Sequence, residues 1–204
     1  MKEIIFATKN KGKIKEIQSI LGDSFIVKSM EEINIDIDVI EDGKTFEENA
    51  IKKASEIMKI TNKIVLADDS GLEIDYLNGE PGVYSARYLG EDTPYEIKNT
   101  KILKLLKDIE EDKRGARFVS VIALAIPEKE PITTKGTIEG IIGYEMKGEN
   151  GFGYDPIFYV PELKKMTAEL SLEEKNKISH RGKALKEMKK ILEEMMWFYE
   201  SVSI

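Results

Sequence analysis

Ile64-Val65-Leu66-Ala67-Asp68-Asp69-Ser70-Gly71-Leu72 is the stretch on which the fold turns. Its unbroken apolar run, 64–67, reads as a central strand covered on both faces. The run feeds directly into two adjacent acids, a serine and a glycine, after which Leu72, Ile74 and Tyr76 alternate as another strand. Ligands of open α/β sheets gather at the carboxyl ends of such strands, and Asp68-Asp69 stands there. Adjacent carboxylates repel unless something cationic joins them. Mg²⁺ is the natural partner, held through one or two carboxylates plus waters and phosphate oxygens. A turn in which Asp caps the backbone is an equally good reading of the residues alone.

Working outward, Ile4 to Ala7 has a short buried-strand pattern and Phe25 to Val27 reads as a second strand. Between them lies a helix with Ile14, Ile17 and Leu21 inward and Gly22 as its stop. Thr45-Phe46-Glu47-Glu48, Thr93-Pro94-Tyr95-Glu96 and Ser171-Leu172-Glu173-Glu174 each have the capping-box spacing of a helix start. The second helix shows Phe46, Ala50, Ala54, Ile57 and Met58 on one face; the third carries Ile97, Ile102, Leu105, Leu106 and Ile109. Arg117–Ile126 and Ile132–Ile142 read as a long antiparallel hairpin, 148–156 as a glycine-rich loop, and 157–160 as a short strand. A last helix runs from about Ser179 to Tyr199, and the apolar cluster Met195-Met196-Trp197-Phe198-Tyr199 is read as packing on the chain's own core. Interleaved helices and strands predict a two-lobed α/β fold, a mixed central sheet flanked by helices with the site in the cleft between lobes, built as one domain over 1–204.

Composition narrows the chemistry. With no cysteine and a single histidine, His180, disulfides, thiolate catalysis and multi-His metal sites are excluded. A metal must be held by oxygen, which favours Mg²⁺ or Mn²⁺. A net charge of −7, from 31 Lys plus Arg against 38 Asp plus Glu, argues against a nucleic-acid partner. No apolar run approaches the roughly 20 residues of a membrane span, and the first residues lack a signal-peptide layout, so a cytoplasmic location is expected.

Four further segments carry candidate chemistry. Thr8-Lys9-Asn10-Lys11-Gly12-Lys13 lies between a strand and a helix, where free N–H groups and three lysines favour an anion; a solvated basic turn is the plainer reading. Glu41-Asp42-Gly43 could bring another carboxylate to a metal, although a solvated acidic turn is the plainer reading. Phe152, in Gly151-Phe152-Gly153-Tyr154-Asp155-Pro156, offers an aromatic platform on which a base can stack, although an aromatic anchor tucked into the core is the slightly better reading of the loop alone. Lys175 and Ser179-His180-Arg181 place cations at the start of the last helix, against its dipole, which suits a bound anion or carbonyl oxygen; a capped surface helix is an equally good reading. Together these are the parts of a site for a nucleotide polyphosphate with Mg²⁺.

Six ordered motifs, at 8–13, 45–50, 67–72, 81–88, 151–156 and 179–182, resemble those of the Ham1/RdgB-type nucleoside triphosphate pyrophosphatases, the inosine triphosphatase family. Lys9 departs from the pattern, standing where many members carry Gly. The resemblance implies hydrolysis of the non-standard purine triphosphates ITP, dITP and XTP to monophosphate and pyrophosphate, Mg²⁺ dependence and a homodimer. It implies Asp69 as general base and, with Glu41, as metal ligand. Residues 8–13 (Thr8, Lys9, Asn10, Lys11, Gly12, Lys13), Ser70, Phe152, Gly153, Tyr154, Asp155, Lys175, His180 and Arg181 are implied as substrate contacts.

Overall fold

The computed structural model describes residues 2–202, with side chains described through Met195. One seven-stranded sheet, in the order β2-β1-β3-β4-β5-β6-β7, runs through the molecule. Chain order is β1 (Lys2–Phe6), α1 (Lys11–Leu21), β2 (Phe25–Ser29), α2 (Phe46–Thr61), β3 (Val65–Ile74), α3 (Tyr95–Leu105), β4 (Gly115–Ala125), β5 (Ile132–Ile142), β6 (Phe158–Val160), β7 (Lys165–Met166), α4 (Leu172–Ile178) and α5 (His180–Val202). β1 is parallel to both β2 and β3; every other pairing is antiparallel.

Three buried clusters organise the sheet. On one face Leu66, Ile122 and Leu124 pack against Ile17 and Leu21 of α1 and Ala184, Leu185 and Met188 of α5. On the other, Val65, Ala67, Val121 and Ala123 meet Phe46, Ala50, Ala54 and Ile57 of α2. Further along β3 and β4, Leu72, Ile74, Ala116 and Phe118 build a separate core with Ile102, Ile142 and Phe158. The two long strands thus span both lobes, and their middles lie between the cores.

Several elements differ from their sequence reading. Residues 68–71 are not a turn between two strands: β3 continues through them, paired without interruption to β4 from Val65↔Ala125 to Ile74↔Ala116. The pairing that stops here is the parallel one, since β1 follows β3 only as far as Phe6↔Leu66. The third capping box forms, with Ser171 accepting from Glu174 N and Glu174 accepting from Ser171 N. The one at Thr93 does not, because the Thr93 hydroxyl donates back to Leu89 O and α3 starts on Pro94 without a side-chain cap. At Thr45 only half the box closes: Thr45 accepts from Glu48 N, while Glu48 accepts from Lys44 N instead. α3 also turns a different face inward. Ile97 and Leu105 are exposed, and Lys98 and Asn99 are buried beside Ile102. Met195 packs partly buried on the first core, whereas Met196 to Tyr199 lie outside the described side chains.

Gly71 is the tightest point of β3. A Cβ there would collide with Gly82 O and with the Ser85 hydroxyl, which itself accepts from Leu72 N at 2.9 Å and donates to Gly82 O at 2.7 Å. Gly71→Ala should cost about 1–3 kcal/mol, the usual range for overpacking. Urea unfolding checks this, and an unchanged midpoint would show that the 82–85 turn yields freely.

Candidate active site

Past Phe6, β1 leaves β3 and the chain turns into 8–10, opening a cleft of about 200 Å³ along the uncovered stretch of β3. Strand alternation sends adjacent carboxylates to opposite faces. Asp68 shares a face with Leu66 and meets α1 and α5; Asp69 shares a face with Ala67 and meets α2.

Asp68 is fully engaged. Ser120 donates to Oδ1 at 2.6 Å, Ser70 to Oδ2 at 3.0 Å, and Oδ2 also pairs with Lys13 Nζ at 2.5 Å and Arg181 Nη2 at 3.3 Å. Burial alone would push its carboxyl up, but Arg181 and Lys13 override that and hold it well below the usual carboxylate range. Asp69 is the opposite case. Its Oδ1 accepts from Ser70 N at 2.9 Å, and its buried Oδ2 has no partner. Burial pushes its carboxyl up to about 6; Glu41 adds to the rise, while Lys53 and Lys13 oppose it.

The expected residues converge unevenly. Thr8, Asn10, Lys13, Glu41, Ser70, Phe152, Gly153, Tyr154, Asp155, Lys175, His180 and Arg181 line the cleft. Lys9 turns away to pair with Asp36 and Asp38 at 2.7 and 2.9 Å, and Lys11 faces solvent. Gly12 backs onto the Phe152 ring, which a Cβ would strike. Asn10 caps α1, accepting from Gly12 N at 2.9 Å and Lys13 N at 3.1 Å, so part of that helix's donor capacity is already used.

The far end of the cleft is built on a buried ion chain. Glu16 pairs with Arg181 through Oε2 and with Lys175 through Oε1 at 2.8 Å; Lys175 continues to Asp155 at 2.6 Å. Asp155 also accepts from Phe152 N and from the Thr167 hydroxyl, which fixes the aromatic loop. Lys175 Nζ and Arg181 Cζ lie 4.8 and 5.5 Å from the centre of the Phe152 ring. His180 stacks on Phe118 at 4.8 Å with 15° between planes. Burial, reinforced by Arg181 and Lys175, pushes it well below the ordinary histidine value, so it is neutral. The cations expected to oppose the α5 dipole are therefore no anomaly: His180 is uncharged, and Arg181 is balanced by two carboxylates.

Sequence reasoning missed Glu16, Lys53, Asn49, Tyr95 and Ser85. The first three had a signal: each is a polar residue on the buried side of a helix, Glu16 beside Ile17, and Asn49 and Lys53 within the stripe of Phe46, Ala50, Ala54 and Ile57. Asn99 donates to Gly153 O, Lys98 to Ala86 O, and Tyr154 to Ser85 O, so α3 and the glycine loop are tied to the 82–86 turn.

The donor set fits a hard divalent cation. Among the described residues no three acidic or histidine side chains form a complete metal cage. Asp69 nevertheless has a buried, unpartnered oxygen with Glu41 beside it, and Mg²⁺ characteristically takes one or two carboxylates and fills its shell with water and phosphate. In and directly behind the cleft, Lys13, Lys53, Lys175 and Arg181 face Glu16, Glu41, Asp68, Asp69 and Asp155. Those cations are outnumbered by carboxylates, so the lysines by themselves do not make the site attractive to a polyphosphate.

A sequence profile of the Ham1 family matches residues 4–191. The dITP/XTP pyrophosphatase of Bacillus subtilis (strain 168) is 53% identical over 194 residues, covering 95% of this chain and 98% of that protein. The protein of the same name from Clostridium perfringens is 50% identical, covering 93% and 96%. Among solved structures, the Staphylococcus aureus Ham1 protein superposes with a TM-score of 0.84 at 48% identity, covering 95% and 99% of the two chains. A HAM1 protein from Coxiella burnetii gives 0.85 at 43%, covering 95% and 100%.

Two outcomes follow from this geometry. Arg181→Ala leaves Glu16 and Asp68 buried with reduced compensation and should cost about 3–5 kcal/mol of stability; a loss under 1 kcal/mol would mean that water replaces the guanidinium. Asp69 bears a folded-state pKa above its unfolded value, so wild-type stability falls as pH rises from about 4 through about 6. Asp69→Asn escapes that loss. In EDTA its melting temperature should gain on wild type across this interval and hold the gain above it; a pH-independent difference would contradict the burial argument.

Proposed function

We propose, from the premise that this chain belongs to the Ham1 family, that it hydrolyses ITP, dITP and XTP to the nucleoside monophosphate and pyrophosphate. What carries this reading in the structure is the buried Asp69 carboxylate, with one oxygen free; it lies just behind the cleft lining, next to Ser70 and beside Glu41, and the same cleft offers the Phe152 ring. In the metal-free protein burial pushes this carboxyl up to about 6, so it is ionised at neutral pH and available as a base.

In this mechanism the purine stacks on Phe152, whose ring is steadied by Gly12 behind it and by the Lys175 and Arg181 cations near it. The triphosphate extends toward Thr8, Asn10, Lys13 and Lys53. Asp69 accepts the proton of the water that attacks the α-phosphorus, and pyrophosphate leaves with its charge met by Lys13 and Lys53. Asp69 and Glu41 would hold Mg²⁺, or Mn²⁺ in its place, which when bound neutralises phosphate charge and acidifies water. The Glu41–Lys53 pair must then open, freeing Lys53 for phosphate.

Base selection rests on donors for the 6-oxo group that hypoxanthine and xanthine share. Both terminal nitrogens of Arg181 are committed to Glu16, Asp68 and Ser70, but its Nε is buried and unpartnered, as is Nδ1 of neutral His180. We therefore assign base reading to His180, the Arg181 Nε–H and neighbouring backbone N–H groups, and to the terminal nitrogens of Arg181 the placing of the pocket wall. Adenine presents a 6-amino donor to the same groups and would leave them mispaired, a penalty of roughly 10⁴-fold or more. Among the described residues no helix is long and apolar enough to cross a membrane. To the same reading belong a homodimeric state and a cytoplasmic location, where free nucleotides are the substrate and neither nucleic acid nor membrane is a partner.

Anion-exchange analysis of ITP, ATP and GTP incubated with MgCl₂ tests the reading. IMP plus pyrophosphate from ITP, with little cleavage of the others, is expected; IDP plus phosphate would move the attack to the γ-phosphorus and overturn it. Asp69→Asn should abolish turnover while the fold persists, and full activity in that variant would remove Asp69 as the base.

A further inference from the structure

Residues 40–44, which carry Glu41, have no regular structure, yet they are fastened to α2 rung by rung. Glu41 pairs with Lys53, and Asp42 with Lys52 at 2.6 Å. Gly43 N–H donates to Asn49 Oδ1 at 2.8 Å, and Lys44 N–H to Glu48 Oε2 at 2.6 Å. Arg87 Nη2 adds a bond to Glu41 O at 2.9 Å from the opposite side. The rungs at Asp42 and Glu48 use exposed side chains, for which water competes.

Asn49 is the exception. It is 0% exposed and lies on the side of α2 that packs against β3, where an amide is costly unless both of its ends are used. Its Oδ1 holds the 40–44 strap. Its Nδ2 has no hydrogen-bond partner, and the buried Asp69 Oδ2 has none either. Both unpartnered groups lie in the one layer where the inward side of α2 packs on the face of β3 that carries Ala67 and Asp69. The strap lies nearly as close to Asn49 as backbone can: a Cβ on Gly43 would stand 2.6 Å from Asn49 Oδ1 and 3.1 Å from Asn49 N.

We propose that Asn49 is a positioning residue for the hydrolytic reaction, one edge of its amide holding the Glu41 strap through Gly43 and the other orienting Asp69. A single side chain then sets the separation of the two carboxylates. This rests on the function proposed above, in which those carboxylates share a cation. Asn49 itself touches neither nucleotide nor phosphate in this account, so its loss acts on turnover rather than on nucleotide affinity.

The experiment compares wild type with Asn49→Leu, which keeps volume and loses both amide contacts, and with Gly43→Ala, which lifts the strap from outside the core. ITP hydrolysis is measured with kcat and KM resolved, and each protein is titrated with MnCl₂ alone by calorimetry. Asn49→Leu should lose about 10–100-fold in kcat, the scale of a small misplacement of reacting groups, with KM for ITP little changed and Mn²⁺ affinity lowered. Gly43→Ala should move both quantities in the same direction with its melting temperature kept. Wild-type kcat and Mn²⁺ affinity in Gly43→Ala, or in a folded Asn49→Leu, would overturn the proposal. So would a rise in KM with kcat unchanged. The Mn²⁺ titration needs no turnover: a protein that leaves ITP intact yet binds Mn²⁺ in an Asn49-dependent way refutes the functional reading and keeps the role of Asn49.

Discussion

The ion chain Lys13–Asp68–Arg181–Glu16–Lys175–Asp155 is the constraint on which the rest depends. It joins α1, β3, α5, α4 and the aromatic loop, elements drawn from most of the chain length. Taking these charges out of water costs several kcal/mol per ion, and only close, multiply bonded partners recover it. Each carboxylate here meets that condition: Asp68 through Ser120 and Ser70, Asp155 through Thr167 and Phe152 N, Glu16 through two cations. An apolar filling of the same volume could be as stable. What the ions add is placement, since any shift of α5 against β3 breaks several charge-assisted bonds together.

That placement explains why the cleft has a rigid end and a looser one. Phe152, Arg181 and Lys175 are fixed by fully buried partners. Lys9, Asp36, Asp38 and Asp42 form pairs in contact with water, where each pair contributes little. A base platform needs fixed geometry to discriminate by hydrogen bonding. A segment that must exchange a lysine–glutamate pair for phosphate and a cation needs partners that are cheap to release, and the Glu41 strap is held mostly by such contacts.

Much of the fold was legible because its signals are local. The α1 stop at Gly22, the Thr45 and Ser171 caps and the two adjoining strands of the 117–142 hairpin are each written in a short contiguous stretch. The continuity of β3 was not, because the strand that carries it through two aspartates is β4, some 50 positions further on. α3 misled for a related reason: its inward face holds Lys98 and Asn99, whose value lies in two carbonyls, Ala86 O and Gly153 O, that no periodicity reveals. Of the candidate site, the residues were legible but their partners were not. Arg181 looks in sequence like a free cation at a helix start, and only the tertiary structure shows its terminal nitrogens held by Glu16, Asp68 and Ser70.

Asp68 and Asp69 show how one strand divides structure from chemistry. The two residues have the same side chain and adjacent positions, and the pleat alone assigns them to different neighbours. Facing α1 and α5, Asp68 finds two cations and two hydroxyls and becomes a fixed anion that organises the core. Facing α2, Asp69 finds one lysine already claimed by Glu41, an unpartnered amide nitrogen in the same layer, and burial. What favours an ionised carboxylate there is the charge of Lys53 and Lys13, against burial and Glu41. A one-residue slip of β3 against β4 would leave only one aspartate in place: either Asp69 against Arg181 with Ser70 facing α2, or Asp68 against Glu41 with Ala67 facing α1 and α5. The uninterrupted ten-residue pairing with β4, which makes 68–71 strand instead of turn, is what prevents that slip.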